Sequence, residues 1–232
     1  MSFLSTKPIA HRGVHDNVKV PENSLKAFKQ SIKKGYIIEL DVHLLKDNEI
    51  VVFHDDNLIR MTGINKRIKD YTYEELKDIK LLNTKYTIPK FIDVLDLVNG
   101  KVPLLIELKY DNAPGKLEKE LVKILDNYKG EFSVQSFHPL IIKWFKKNRP
   151  NYLRGLLVPS YGKSIKRIIL ASMILKNICK PNFISVDSRR NNKRLINKKI
   201  ETLVWTIKSK EEYEKYIDKY DNLIIDDMNI LK

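Results

Sequence analysis

The chain has 232 residues, 43% hydrophobic and 31% charged, the balance of a globular protein large enough for one extensive core. No apolar run approaches the roughly 18 residues of a membrane helix, and a single cysteine, Cys179, excludes an internal disulfide framework. The net charge of +14 favours anionic partners, but the lysines are scattered and no basic stripe with interleaved aromatics is readable, so no nucleic acid is expected.

Strand and helix patterns alternate from the start. A short strand pattern at residues 8–11 precedes a helix at 24–34, whose stripe of Leu25, Phe28 and Ile32 should face a core and which Gly35 should end. Strand patterns follow at 36–42 and 49–54, then helices at 73–79 and 91–98. Thr72-x-x-Glu75 reads as a capping box for the first of these. A strand at 102–108 leads to a helix at 116–128, with Leu117, Leu121, Ile124 and Tyr128 on one face. Strand 131–137, helix 140–148, strand 153–158 and helix 163–178 continue the series. Cys179 ends that apolar stretch and reads as a core residue. Strand 183–186, a short helical pattern at 189–197, strand 202–207, helix 210–220 and strand 223–226 complete it. Ser209-x-x-Glu212 is a second capping box.

Such alternation predicts a parallel sheet covered by helices. The ninth strand pattern is one too many for an eight-stranded barrel. Only Lys46-Asp47-Asn48-Glu49 separates the second and third patterns, too short for a parallel crossover. A hairpin with a two-residue turn at Asp47-Asn48 resolves the surplus. Counting outward from that turn sets Asp41 opposite His54, so Glu39, Asp41 and His54 would share a face. By parity His43 joins them.

Four clusters carry chemistry. Ala10-His11-Arg12-Gly13 ends an apolar strand with a histidine, a cation and a freed backbone, although a surface turn would read the same way. Glu39-Leu40-Asp41 places two like charges two apart on an apolar strand, which a divalent cation would reconcile unless the strand is a solvated edge. Val51-Val52-Phe53-His54-Asp55-Asp56 ends a strand with a group that titrates near neutrality, or with a hydrogen-bonded structural histidine. In Leu104-Leu105-Ile106-Glu107-Leu108-Lys109, Glu107 could complete a metal site and Lys109 hold a phosphate oxygen, or the two could form an ion pair. No zinc-ligand spacing and no phosphate-binding glycine loop is present.

In order and spacing the sequence resembles the glycerophosphodiester phosphodiesterase family. The resemblance rests on His11-Arg12-Gly13, Pro21-Glu22-Asn23-Ser24, Glu39-Leu40-Asp41-Val42, His54-Asp55, Ile88-Pro89, Glu107-Leu108-Lys109, Ser136-Phe137, Val204-Trp205-Thr206 and Ile224-Ile225-Asp226. It implies a (β/α)8 TIM-type barrel, one domain over 1–232, with a small insertion at about 57–88. It implies hydrolysis of a glycerophosphodiester to glycerol 3-phosphate and an alcohol. Glu39, Asp41 and Glu107 would hold a divalent metal, Mg2+ or Ca2+, and His11 and His54 would be the general acid/base pair. Arg12 and Lys109 would contact the phosphate, and Trp205 and Phe137 would pack against glycerol. The sequence departs from the family at Ser24, where Thr is usual, and at Asp226-Asp227-Met228, where Thr-Asp-x-Pro is usual. Those departures leave the metal ligands and histidines untouched in the linear pattern.

A lysophospholipase D-type activity on lysolipids is the nearest alternative; the polar insertion, including Lys66-Arg67-Ile68-Lys69-Asp70, argues for water-soluble substrates instead. No basic start followed by an apolar core of about 7–15 residues precedes Pro8, so the expected location is cytoplasmic, with peripheral membrane contact left open.

Overall fold

The computed structural model describes residues 2–110, 114–160, 178–189 and 200–231. Nine strands form one sheet: β1 (Ile9–Ala10), β2 (Ile37–Leu44), β3 (Ile50–Val52), β4 (Leu104–Leu108), β5 (Phe132–Ser136), β6 (Leu153–Val158), β7 (Phe183–Asp187), β8 (Glu201–Ile207) and β9 (Asn222–Ile225). All except β3 run parallel in the order β1-β9-β8-β7-β6-β5-β4-β2, and β1 also pairs with β2. That last pairing closes an eight-stranded parallel barrel, the expected TIM-type fold.

The helices with described bounds are α1 (Leu25–Lys34), α2 (Ile59–Thr62), α3 (Tyr73–Leu76), α4 (Phe91–Val98), α5 (Lys116–Leu125), α6 (Pro139–Asn148) and α7 (Lys210–Tyr216). The helix expected at 163–178 lies outside the described residues but for its last residue, and that at 189–197 but for its first. None of the described helices is long and apolar enough to cross a membrane.

Local signals set the helix ends. Ser24 caps α1 by accepting from Ala27 N–H, and Gly35 ends it at φ 68°. Phe28 of that helix is buried as expected, but Leu25 in its first turn is 38% exposed. The full capping box forms at Thr72 and Glu75. At α7 only half of it forms: Ser209 Oγ accepts from Glu212 N–H, while the Glu212 carboxylate reaches past it to Lys208 N–H.

The barrel interior is layered. Ile9, Ile37, Leu105, Phe183, Leu203 and Ile224 fill its base, and Leu4 plugs it from below. Gly155 makes room for this layer, since a Cβ there would lie 2.1 Å from the Phe183 ring. Strand side chains alternate with period two, so the residues next above Ile37 and Leu105 on the inner face are Glu39 and Glu107. Outside the sheet, a larger apolar cluster binds α1, α4, α5 and α6, and it includes Cys179 as expected.

The hairpin register differs from the expected one. Val42 pairs with Val52, His43 with Val51 and Leu44 with Ile50, and Phe53 N–H donates to Asp41 C=O. Phe53, not His54, therefore stands opposite Asp41. Leu45 N–H bonds to Glu49 C=O across a loop of Lys46, Asp47 and Asn48, with Asn48 at φ 68°. One extra loop residue in the left-handed conformation shifts the register by one, and a one-residue slip reverses every facing. Residues 57–88 follow this hairpin. Leu58, Met61, Ile68, Leu76, Leu81 and Ile88 form a second small core with Leu45, Val51 and Phe53.

Candidate active site

The closed sheet brings three acids together at its C-terminal end. Asp41 and Glu107 are register partners across β2 and β4, and Glu39 shares the inner face with Asp41. One carboxylate oxygen from each of Glu39, Asp41 and Glu107 lies within 4.8 Å of the others, and all three residues are buried. The solvated-edge alternative is thereby excluded. Lys109 Nζ stands 2.8 Å from Asp41 Oδ1 and 2.6 Å from Glu107 Oε1. Asn23 Nδ2 donates to Asp41 Oδ2 at 2.8 Å, and Arg12 Nε is 3.6 Å from the same oxygen. Arg12 itself sits at φ 56°, which turns its backbone N–H onto Glu39 Oε2 at 3.0 Å. The next residue, at φ 79°, must be small: a Cβ on Gly13 would meet Ala27 at 3.0 Å.

The charges in this cluster do not balance. Three carboxylates face two cationic side chains, Arg12 and Lys109. Burial and the charges of Asp41 and Glu107 push the Glu39 carboxyl well above its usual range. Burial likewise raises Glu107, with Lys109 opposing it. Burial also acts on Asp41, but Lys109, His54 and Arg12 outweigh it and hold that group well below the usual range. Lys109, though buried, is held charged by Asp41 and Glu107. Hard carboxylate oxygens with an unmet demand for positive charge fit Mg2+ or Ca2+.

Two histidines flank the acids. His11 follows β1, and its Nδ1 lies 2.7 Å from Asp226 Oδ1, just beyond β9. Burial, reinforced by Arg12, lowers the His11 pKa to about 4 against the pull of Asp226. His15 approaches the same Asp226 oxygen at 3.7 Å. His54 follows β3, and its Nδ1 lies 2.5 Å from Asp55 Oδ1. Asp226 and Asp55 both resist burial and stay ionised, Asp226 through His11 and His15, Asp55 through His54 and Arg60. An ionised carboxylate only accepts, so each histidine donates from Nδ1 and keeps Nε2 for proton exchange.

His11, His54, Glu39, Glu107, Phe137 and Trp205 line one cavity together with Arg12. Phe137 and Trp205 meet edge to face at 5.5 Å, and Trp205 Nε1 donates to Ser185 C=O at 3.0 Å. Lys109 lines the neighbouring cavity with His43. Every predicted site residue thus lies in or beside one constellation. His54 reaches it despite the register shift, because the chain leaves the strand after Val52. His43 is buried with Nε2 3.3 Å from His54 C=O, and burial and Lys109 lower its pKa to about 4. His138 occupies the N-cap position of α6, but its side chain makes no capping bond; its ring stacks on Tyr110 at 3.9 Å.

Three side chains escaped the sequence reading. Asp226 departs from the family pattern yet holds His11, so that departure does touch a histidine. Asn23 was visible only as part of a motif. Arg60 gave no signal at all. It binds Asp55 and Glu22, and both partners come from other segments.

Residues 11–229 match the glycerophosphoryl diester phosphodiesterase family. The chain belongs to that family. Among its relatives, a glycerophosphodiester phosphodiesterase of Bacillus altitudinis is 36% identical over 159 residues, covering 63% of this chain and 64% of the relative. Lysophospholipase D of Homo sapiens is 47% identical over 139 residues, 54% of this chain and 38% of that one. The chain thus spans less than two thirds of the length of either relative. A phosphodiesterase of Oleispira antarctica, solved in complex with the product sn-glycerol-3-phosphate, superposes with a TM-score of 0.81. At 21% identity, over 97% of this chain and 95% of that one, it shares the fold of this family member.

Proposed function

We propose that this family member hydrolyses glycerophosphodiesters to glycerol 3-phosphate and an alcohol, with a divalent cation held by Glu39, Asp41 and Glu107. One observation carries the reading: three buried carboxylates converge within 4.8 Å, and two of them, Glu39 and Glu107, share a cavity wall with two histidines, each oriented by its own ionised carboxylate. Bound there, Mg2+ or Ca2+ supplies a Lewis acid that draws charge from a phosphate oxygen. Arg12 and Lys109 contact the phosphate, and Phe137 and Trp205 pack against the glycerol. His11 is neutral at pH 7 and takes the proton of the attacking hydroxyl on Nε2. His54 gives a proton to the leaving alkoxide. On this reading, which the family resemblance supports, that hydroxyl is the glycerol 2-hydroxyl, and water opens a cyclic phosphate afterwards. On this reading residues 1–232 form one phosphodiesterase domain, 57–88 are its insertion, and it works in the cytoplasm.

The likeness to a lysophospholipase D favours a second reading, in which the alcohol is cleaved from a lysolipid and the protein touches a membrane surface. One assay separates the two. Purified protein is given glycerophosphocholine, glycerophosphoethanolamine, glycerophosphoglycerol or lysophosphatidylcholine, with Mg2+, Ca2+ or EDTA, beside a Glu39→Ala control. Release of glycerol 3-phosphate that needs a cation and is lost in Glu39→Ala is expected. Choline release from the lysolipid alone would replace the first reading by the second. A folded protein inactive on all four with both cations would sink both.

A further inference from the structure

The side chains around His54 do not stop at Asp55. Asp55 offers Oδ1 to His54 and Oδ2 to Arg60 Nε, at 2.5 Å and 2.6 Å. Arg60 stands on α2, inside the 57–88 segment, and its outer nitrogens reach Glu22 at 2.6 Å and 3.1 Å. Glu22 lies in the loop between β1 and α1 and is only 5% exposed. It is saturated: Oε1 accepts from Arg12 and Arg60, and Oε2 from Asn17 and Arg60. Glu22 N–H in turn donates to Asn17 Oδ1 at 2.8 Å. A continuous chain of alternating charge, Asp41, Arg12, Glu22, Arg60, Asp55, His54, therefore runs from the carboxylate cluster to the second histidine.

From this geometry we propose that Arg60 is a positioning residue for His54, holding Asp55 in the rotamer that orients the ring while anchored on Glu22. The physical need is specific. Asp55 follows His54 directly in a bend beyond β3 and is partly exposed, so neither packing nor strand pairing fixes its carboxylate. A guanidinium presents several donors in a rigid plane and can clamp two carboxylates at once. Lysine, with one rotatable ammonium, cannot reproduce that fork. Glu22 is the fixed end, because a buried carboxylate with four donors has no freedom left. Arg60 meets Arg12 only through Glu22, which keeps Arg12 and Asn17 as donors when Arg60 is replaced, so the effect of Arg60 on the site runs chiefly through Asp55. The insertion thereby delivers a clamp to the one histidine that the barrel does not itself hold.

The inference rests on the phosphodiesterase reading for its kinetic arm only. With glycerophosphocholine as substrate, Arg60→Gln should lower kcat roughly tenfold, the low end of what outer partners contribute, with KM little changed. Arg60→Lys should recover only part of that loss. In the double variant Arg60→Gln/Asp55→Asn, the Arg60 change should add almost nothing to Asp55→Asn, since both act on one bond. Effects that multiply in the double variant, or a raised KM at unchanged kcat, would overturn the proposal. The second arm needs no turnover. In 15N-histidine spectra of the whole protein, the His54 Nδ1 signal should move in Arg60→Gln while that of His11 stays. An unmoved His54 signal in a folded Arg60→Gln protein would overturn it as well. A wild-type protein without activity but with the His54 shift would sink the phosphodiesterase reading and leave the clamp standing.

Discussion

The two histidines of the site are held in opposite ways. His11 is held by the barrel: its carboxylate lies 215 residues away in sequence and arrives through the β1–β9 pairing. His54 is held by its neighbour Asp55, which is itself clamped by Arg60 of α2, outside the barrel strands. The His11 side chain is 14% exposed and that of His54 32%. A residue whose partner arrives through strand pairing gains its orientation from packing that the whole fold maintains. One at the rim depends on a few polar contacts competing with water.

That contrast can be broken by substitution. The largest effect belongs to the rings themselves: His11→Ala and His54→Ala should each lower kcat by roughly 10²–10⁴-fold, measured with glycerophosphocholine at saturating Mg2+. Near-normal turnover in either variant would remove that histidine from the mechanism. Next come the orienting acids. Asp226→Asn and Asp55→Asn should each lower kcat by about 10–100-fold, because an amide can favour the wrong ring tautomer.

Stability should separate the two where kinetics does not. Asp226→Asn weakens bonds to His11, whose side chain is less exposed than that of His54, and should cost about 1–3 kcal/mol by urea unfolding. Asp55→Asn, at the rim, should cost about 0–1 kcal/mol. Equal losses would show that the rim is as rigid as the barrel.

The smallest effect is the pH dependence of that difference. His11 and His15 hold the Asp226 pKa below its unfolded value, against burial. Its stabilisation is therefore complete above an unfolded carboxylate pKa of about 4 and fades as the pH drops further. The advantage of wild type over Asp226→Asn should be full at pH 6 and shrink below about pH 4. An advantage that survives unchanged at pH 3 would mean that the bond does not depend on an ionised Asp226.

Much of this was legible in the chain. Glu39 and Asp41 two apart on an apolar strand already implied one shared face, and Glu107 and Lys109 repeated that spacing at another strand end. The Asn48 loop was not legible, since a two-residue and a three-residue turn suit the same polar stretch; only cross-strand packing selects one. Ser209 shows the same limit, because Glu212 had two backbone donors within reach and took the earlier one. Asp226 read as a harmless departure because nothing in its neighbourhood names His11 as a partner.

What the sequence determined by itself follows from short-range physics: period-two and helical patterning, the caps at Ser24, Thr72 and Gly35, and acids and histidines at strand ends. These rest on contacts within a few residues, and they were enough for an eight-stranded α/β barrel and its family resemblance. The tertiary structure decided which groups meet. Closing the sheet put Asp226 on His11, and the register of β2 and β4 set Asp41 beside Glu107. Packing residues 57–88 against the hairpin carried Arg60 to Asp55 and Glu22. All of these but the Arg60–Asp55 bond join residues from distant parts of the chain, and their geometry exists only once the fold has closed.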